Sequence, residues 1–419
     1  MEHLPLLAKL GIIFGVIILV MIFRLPTFVP ILLGAIVTGI LFTMPAFDIA
    51  RTFLDSVIDF YTIDTILIVC FIEILGKMMK ERGILSRFAG GADYLLRGSR
   101  VSVVTIPMFV GLLPMPGGAY FTAPMTEEQI KPYGIKPGLA VYINYWFRHV
   151  WEYFWPLYPG LIVGFAIIKN LTVGSVIVHQ SFVTLLAIAA GAVILFAFVK
   201  RRDVRPERLP GKGSSSTKDV LYGAFPLMII VVLIAITQAL GSIIKIPVSA
   251  VMLVVLVSSW IFYKVPLKGS GKLILSALDW RVISLMASVM FFKYMLDRSS
   301  ALAGLGPMLS GAPSSLIVAM IMFLPFVVGL LVGLNQAYVA TTFPLLAPFI
   351  GHDPGLVMLA YAFGFFGVML SPSHLCLALS REYFRASWGS VYKWLVPSVI
   401  AVAIVTFAVW LLLFQHPNR

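Results

Sequence analysis

The sequence predicts an all-α polytopic membrane protein made of two inverted repeats, each with three spans, a re-entrant hairpin, an interrupted helix and a final span. Three observations carry that prediction. The 419 residues are 60% hydrophobic and only 12% charged, with a mean hydropathy of +0.99. The second half re-reads the first. The basic residues gather in a few short segments between apolar runs. A soluble domain could not keep so little polar surface in water, so most of the chain must face lipid. Apolar runs of the roughly 20 residues needed to cross a bilayer recur from end to end, and the short alternating segments of a membrane barrel do not dominate.

The first apolar run, near residues 5 to 23, follows Glu2, contains Lys9 and precedes no small-residue cleavage site, so it reads as a retained helix. Six basic residues between Lys77 and Arg100, seven in the loop from Lys200 to Lys218, and Lys264, Lys268 and Lys272 mark cytoplasmic segments. Threading outward from these leaves Asp48, Asp55 and Asp59 outside, places Arg381, Arg385 and Lys393 inside, and puts both termini on the extracytoplasmic face of the cell membrane. The net charge of +13 therefore sets orientation in a bilayer, and no nucleic-acid partner is expected. Cys70 and Cys376 match no zinc or redox spacing.

Sliding the sequence by 216 to 218 positions lays "VGLLPMPGGAY" (Val110 to Tyr120) on "VGLLVGLNQAY" (Val328 to Tyr338), and "KMMKER" at Lys77 on "KYMLDR" at Lys293. Downstream, "PGL" at Pro137 meets "PGL" at Pro354, and Tyr145, Phe147 and Pro156 meet Tyr361, Phe363 and Pro372. The expected units are residues 1–199, a cytoplasmic linker at 200–218, and residues 219–419. The segment after Lys77 is strongly basic, whereas its counterpart carries only Lys293 and Arg298, so the halves should run in opposite directions. Inverted repeats with interrupted helices at matching positions are a recurrent plan of secondary transporters.

The two matched stretches should be hairpins, at about 102–129 with a tip at Pro114 to Gly118, and at about 316–349 with a tip at Gly333 to Gln336. Interrupted helices follow at about 137–168 and 354–388. Open backbone is tolerated in lipid only where protein or water satisfies it. Half-helix N-termini suit an anion and free carbonyls suit a cation, so Pro116, Gly117, Gly118, Asn335 and Gln336 are expected at a solute site.

The polar residues of the membrane interior cluster on the interrupted helices. Asn144, Arg148 and Glu152 follow at four-residue steps on one helical face, with His149 beside them. A charge at mid-membrane costs at least about 2.5 to 3.5 kcal/mol, which marks these residues for function, although Arg148 and Glu152 could also pair with each other. In the second half "SPSHLC" breaks the chain at Pro372 and offers Ser371, Ser373 and His374. Glu73 and Asp64 fit a proton relay or simple packing, and His179 fits a core position.

The "PMPGGAYFTAPM" hairpin, the "GLNQAY" counterpart and the late "SPSH" break resemble an uncharacterised prokaryotic integral membrane family of the ion transporter superfamily, related to gluconate permeases and divalent-anion/sodium symporters. The resemblance implies a homodimer whose scaffold holds two transport domains that move as elevators. It places Pro116, Gly117, Gly118, Asn335, Gln336, Ser371 and Ser373 at the site. Where the dicarboxylate symporters carry Ser-Asn-Thr triplets, this sequence has "PGG" and "NQA".

The expected function is secondary active transport of a small organic anion driven by H+ or Na+. Asn144 and Arg148 join the tip residues in binding, and Glu152, His149 and His374 are the candidate proton carriers. No cofactor is expected beyond Na+ as a possible coupling ion. The rivals are a cation/proton antiporter on the same plan and an intramembrane enzyme using Asp64, Glu73 or His149. No His-Glu-x-x-His motif supports the latter.

Overall fold

Proline and acidic caps set the boundaries of the helices that matter most. Pro137, Pro159 and Pro354 each occupy a first helical turn, where the missing N–H removes nothing. Asp353 accepts from the amides of Gly355 and Leu356, at 2.7 and 3.2 Å. The computed structural model describes residues 4–23, 25–26, 28–96, 100–112, 118–168, 171–199, 217–240, 246–300, 313–351 and 353–413. It is 84% helical with no strand among the described residues, so the all-α prediction holds.

The first half runs α1 (Leu6–Ile22), α2 (Phe28–Leu41), α3 (Ala46–Ile58), α4 (Phe60–Glu81), α5 (Ile84–Leu96), α6 (Ser102–Gly111), α7 (Gly118–Ile130), α8 (Pro137–His149), α9 (Pro159–Ile167) and α10 (Val173–Phe198). The second half runs α11 (Thr217–Leu240), α12 (Val248–Phe262), α13 (Ser270–Ala277), α14 (Trp280–Arg298), α15 (Ser314–Val332), α16 (Asn335–Ile350), α17 (Pro354–Leu370), α18 (Leu375–Tyr383) and α19 (Trp388–Leu413). Helices starting at 118, 137, 159 and 173 recur at 335, 354, 375 and 388, at spacings of 215 to 217. α6 packs against α7 and α15 against α16, and the helix is interrupted between α8 and α9 and between α17 and α18; the tip expected at Pro114 to Gly118 lies outside the described residues apart from Gly118.

Five segments are long and apolar enough to cross a membrane: α10, Thr217–Thr237 of α11, α15, α17 continued into α18, and α19. The bent pair α13–α14 makes six if counted as one span. The chain thus has the helices of a multi-pass membrane protein. Two details depart from the sequence reading. In the first half α1 and α2 are shorter apolar helices, ended near Pro26 and Pro45, and α4, with Asp64, Glu73 and Lys77, is not among the five. And α15, with 19 residues, extends roughly 28 Å, beyond the half-depth arm expected. The linker at 200–218 lies outside the described residues apart from its last two positions.

The core sits where the interrupted helices meet. Of the α17–α18 window, 78% is buried, against 22 to 33% for the other long spans, so this segment is enclosed by protein while the others present wide outer faces. Contacts between the halves come in matching pairs: α2 with α14 and α12 with α4, α9 with α16 and α18 with α7, α8 with α19 and α17 with α10. The same matching reaches single residues. Gly111 of α6 lies so close to the Arg148 carbonyl that no Cβ would fit, and Gly329 of α15 lies in the same way against the Gly364 carbonyl. Glycine at these points lets the hairpin arm seat backbone to backbone on the interrupted helix.

This seating predicts that Gly329→Ala, which must push two helices apart, lowers stability by about 1 to 3 kcal/mol. Gly271→Ala meets nothing within 4 Å and gains helix propensity, so it is neutral or stabilising. Thermal unfolding of the detergent-purified variants measures the contrast.

Candidate functional site

The breaks after α8 and α17 free backbone carbonyls in the buried core, and side chains close several of them. The Thr184 hydroxyl donates to the Val150 carbonyl at 2.8 Å, and the Tyr361 hydroxyl donates across the halves to the Glu152 carbonyl at 3.0 Å. Tyr145 reaches back to the Met369 carbonyl at 3.3 Å, and Tyr392 caps the Leu370 carbonyl at 2.8 Å. Tyr158 and His374, the residues immediately before α9 and α18, perform equivalent tasks. The Tyr158 hydroxyl donates to the carbonyl of Gly111 and His374 Nδ1 donates to that of Gly333 at 2.6 Å, each at the end of a hairpin's first arm. Gly333 turns there with φ +71°, a conformation that glycine adopts at little cost because it has no side chain.

With the backbone closed, a cleft of about 850 Å³, mouth included, remains between the breaks. Its wall contains Arg148, His149 and Glu152 from the first break, Leu334, Asn335 and Gln336 from the second hairpin, and His374, Leu375 and Cys376 from the second break. Leu157, Tyr158 and Pro159 at the start of α9, Val69, Ile72 and Glu73 of α4, and Val282 of α14 complete it. Three helix N-termini, those of α9, α16 and α18, therefore open onto one buried space beside a guanidinium. Each brings the partial positive charge of a helix start.

Inside the cleft the polar groups touch. Asn335 Nδ2 donates to Glu152 Oε2 at 2.8 Å, joining the second hairpin to the first break. Arg148 Nη1 donates to Cys376 Sγ at 3.7 Å. His149 Nδ1 donates to the Tyr145 carbonyl at 2.6 Å, which leaves its Nε2 facing Nε2 of His374 at 3.1 Å and Glu152 Oε1 at 3.6 Å. Gly118, at the start of α7, is buried, and a Cβ there would fall on the Arg148 guanidinium. The first hairpin thus comes to the site through Gly118, while Pro116 and Gly117 lie outside the described residues.

Three predicted site residues have other engagements. Asn144 is fully buried away from the cleft wall, and its Oδ1 accepts from Thr122 and Thr126 at 2.7 and 3.1 Å while its Nδ2 donates to the Ala119 carbonyl and Ser380 Oγ at 3.1 and 2.9 Å. That uses the amide's whole capacity and ties α7, α8 and α18 together. Ser373 is exposed and spends its only hydroxyl proton on the Leu331 carbonyl at 3.1 Å, so Ser371 must donate to Ser373 at 2.7 Å. The serine pair closes the end of α15. Two carboxylates of α4 receive backbone amides from the second half, Asp64 from Ser249 and Glu73 from Asp279, both at 3.2 Å. Both sit at helix N-termini, where negative charge is favourable. His179 is half-buried on α10 and donates to its own helix at Ser175, at 2.8 Å.

Cys376 is the site residue that sequence spacing did not expose. Its only linear signal is its place two residues after His374, just inside the break.

A family profile matches residues 6–413, which is nearly the whole chain. The chain belongs to the DUF401 family, described as proteins of unknown function. A search of curated proteins found no match. The DUF401 profile spans both hairpins and both breaks, so every residue of the cleft falls inside the matched region.

Asn144→Ala would strand buried donors and acceptors on three helices, and it is expected to cost at least about 2 kcal/mol. Ser373→Ala, at an exposed position, should cost less than about 1 kcal/mol. Thermal unfolding separates the two.

Proposed function

We propose that this DUF401 protein is a secondary active transporter of a small organic anion, driven by a proton or sodium gradient across the cell membrane. The observation that carries the reading is the convergence of Arg148 with the N-termini of α9, α16 and α18 on one buried cleft. Those groups supply positive potential from a fixed framework, which suits a carboxylate held without its water shell. Arg148 and the amides around Asn335 and Gln336 bind the anion. Glu152, beside His149, is our candidate for the group that carries a coupling proton, and Na+ remains the other candidate coupling ion.

The matched helix order, the paired contacts between halves and the Gly111/Gly329 correspondence support a duplicated architecture. In this reading the two copies have opposite orientation, with the 200–218 loop cytoplasmic and both termini outside. The hairpins and interrupted helices then form the moving part of an elevator in a homodimer, as in the ion transporter superfamily, while α4 and α14 line the wall it slides against.

Radiolabelled carboxylate uptake into proteoliposomes tests this. Losing a charge-assisted contact of about 1.5 to 3 kcal/mol, Arg148→Gln should weaken substrate binding roughly tenfold to a hundredfold. Asn335→Ala should reduce uptake and, by removing a partner of buried Glu152, lower stability by about 1 kcal/mol. Uptake unaffected by both substitutions would contradict the site. Dissipation of a pH gradient with no organic solute present would favour the cation/proton antiporter instead.

A further inference from the structure

The tautomers of the two cleft histidines are fixed by their neighbours. A backbone carbonyl only accepts, so Nδ1 of His149 and Nδ1 of His374 must both carry hydrogen. In the neutral rings both Nε2 atoms are then lone-pair acceptors, yet they face each other at 3.1 Å in a buried setting. Something positive belongs between them. The third donor is Cys376 Sγ, and these three ligand atoms lie within 4.8 Å of one another.

We infer that His149, His374 and Cys376 form a binding site for a divalent transition cation of the Zn2+ class. Two imidazoles and a thiolate are the ligand types such an ion selects over Mg2+ or Ca2+, which want oxygen. Zn–N bonds of roughly 2.0 to 2.1 Å at a tetrahedral angle put two nitrogen ligands about 3.3 Å apart, close to the spacing found. The carbonyls on both Nδ1 atoms are the outer partners that metal-bound histidines use to fix ring orientation. The Arg148 guanidinium lies beside Sγ, with Nη1 at 3.7 Å. Binding requires Cys376 to give up its thiol proton to solvent, so protons are released as metal enters.

All three ligands line the cleft, so a fourth position is reachable from it, as in zinc sites that keep one place for water or substrate. Occupation of that place by a substrate carboxylate rests on the transport reading. The metal site itself does not.

The full-length protein, stripped with chelator and titrated with Co2+ in detergent, should show one ion per chain with a thiolate-to-cobalt charge-transfer absorption that Zn2+ displaces. Cys376→Ser should abolish that absorption while the thermal unfolding midpoint without metal stays near the parent's. His149→Ala and His374→Ala should each weaken Zn2+ binding at least tenfold by competition. A single shared proton between the imidazoles is the outcome that overturns the site. It would give no stoichiometric Co2+ uptake, no absorption change and no rise in the unfolding midpoint with Zn2+ in the parent protein. Metal binding that persists unchanged in Cys376→Ser and in both histidine variants would overturn it as well. Because no transported solute enters the assay, its failure leaves the uptake experiment to decide the transport reading separately.

Discussion

Backbone that leaves a helix inside a nonpolar slab has to find its hydrogen-bond partners within the protein, and the architecture here follows from meeting that demand twice. Each unmet group in hydrocarbon costs several kcal/mol, so a broken span is stable only when buried against something polar. The first break borrows Tyr361 from α17 to close the Glu152 carbonyl, and the second borrows Tyr145 from α8 to close that of Met369. Because each half closes a gap in the other, the breaks must lie side by side. Their proximity then assembles the cleft, with Asn335 on Glu152 and His149 facing His374.

The same constraint explains the division of labour among polar residues. Groups such as Asn144, Ser371 and Ser373 look functional in the sequence because they are polar in apolar surroundings, yet they serve to satisfy or seal the framework. Asp64 belongs to the same class, holding the Ser249 amide at the start of α12, while Glu73 holds the Asp279 amide before α14 and lines the cleft as well. Arg148, His149, Glu152 and His374 differ in lining open space as well as touching neighbours.

Much of the plan is legible in the chain. The "PGL" at Pro137 and at Pro354 marks the starts of α8 and α17, and Pro372 falls in the break between α17 and α18, whereas Pro107, Pro124, Pro325, Pro344 and Pro348 sit inside helices, so proline alone does not locate a break. The four-residue spacing of Asn144, Arg148 and Glu152 correctly puts them near one another, but α8 ends at His149, so Glu152 sits on the unwound segment and turns toward Asn335 while Asn144 turns toward α7. Amphipathic α3 and α5 carry no comparable signal, since neither breaks nor spans. Cys376 could not be connected to His149 at all: the two are more than two hundred residues apart and meet only because two interrupted helices pack together.

Energetic coupling across the two breaks tests the account most directly. A double-mutant cycle of Glu152→Ala and Asn335→Ala, followed by unfolding of the detergent-solubilised chain, should show non-additivity of about 1 kcal/mol or more, as expected for a buried hydrogen-bonded pair. Additive effects, within about 0.5 kcal/mol, would mean that the halves do not share the buried cleft described above.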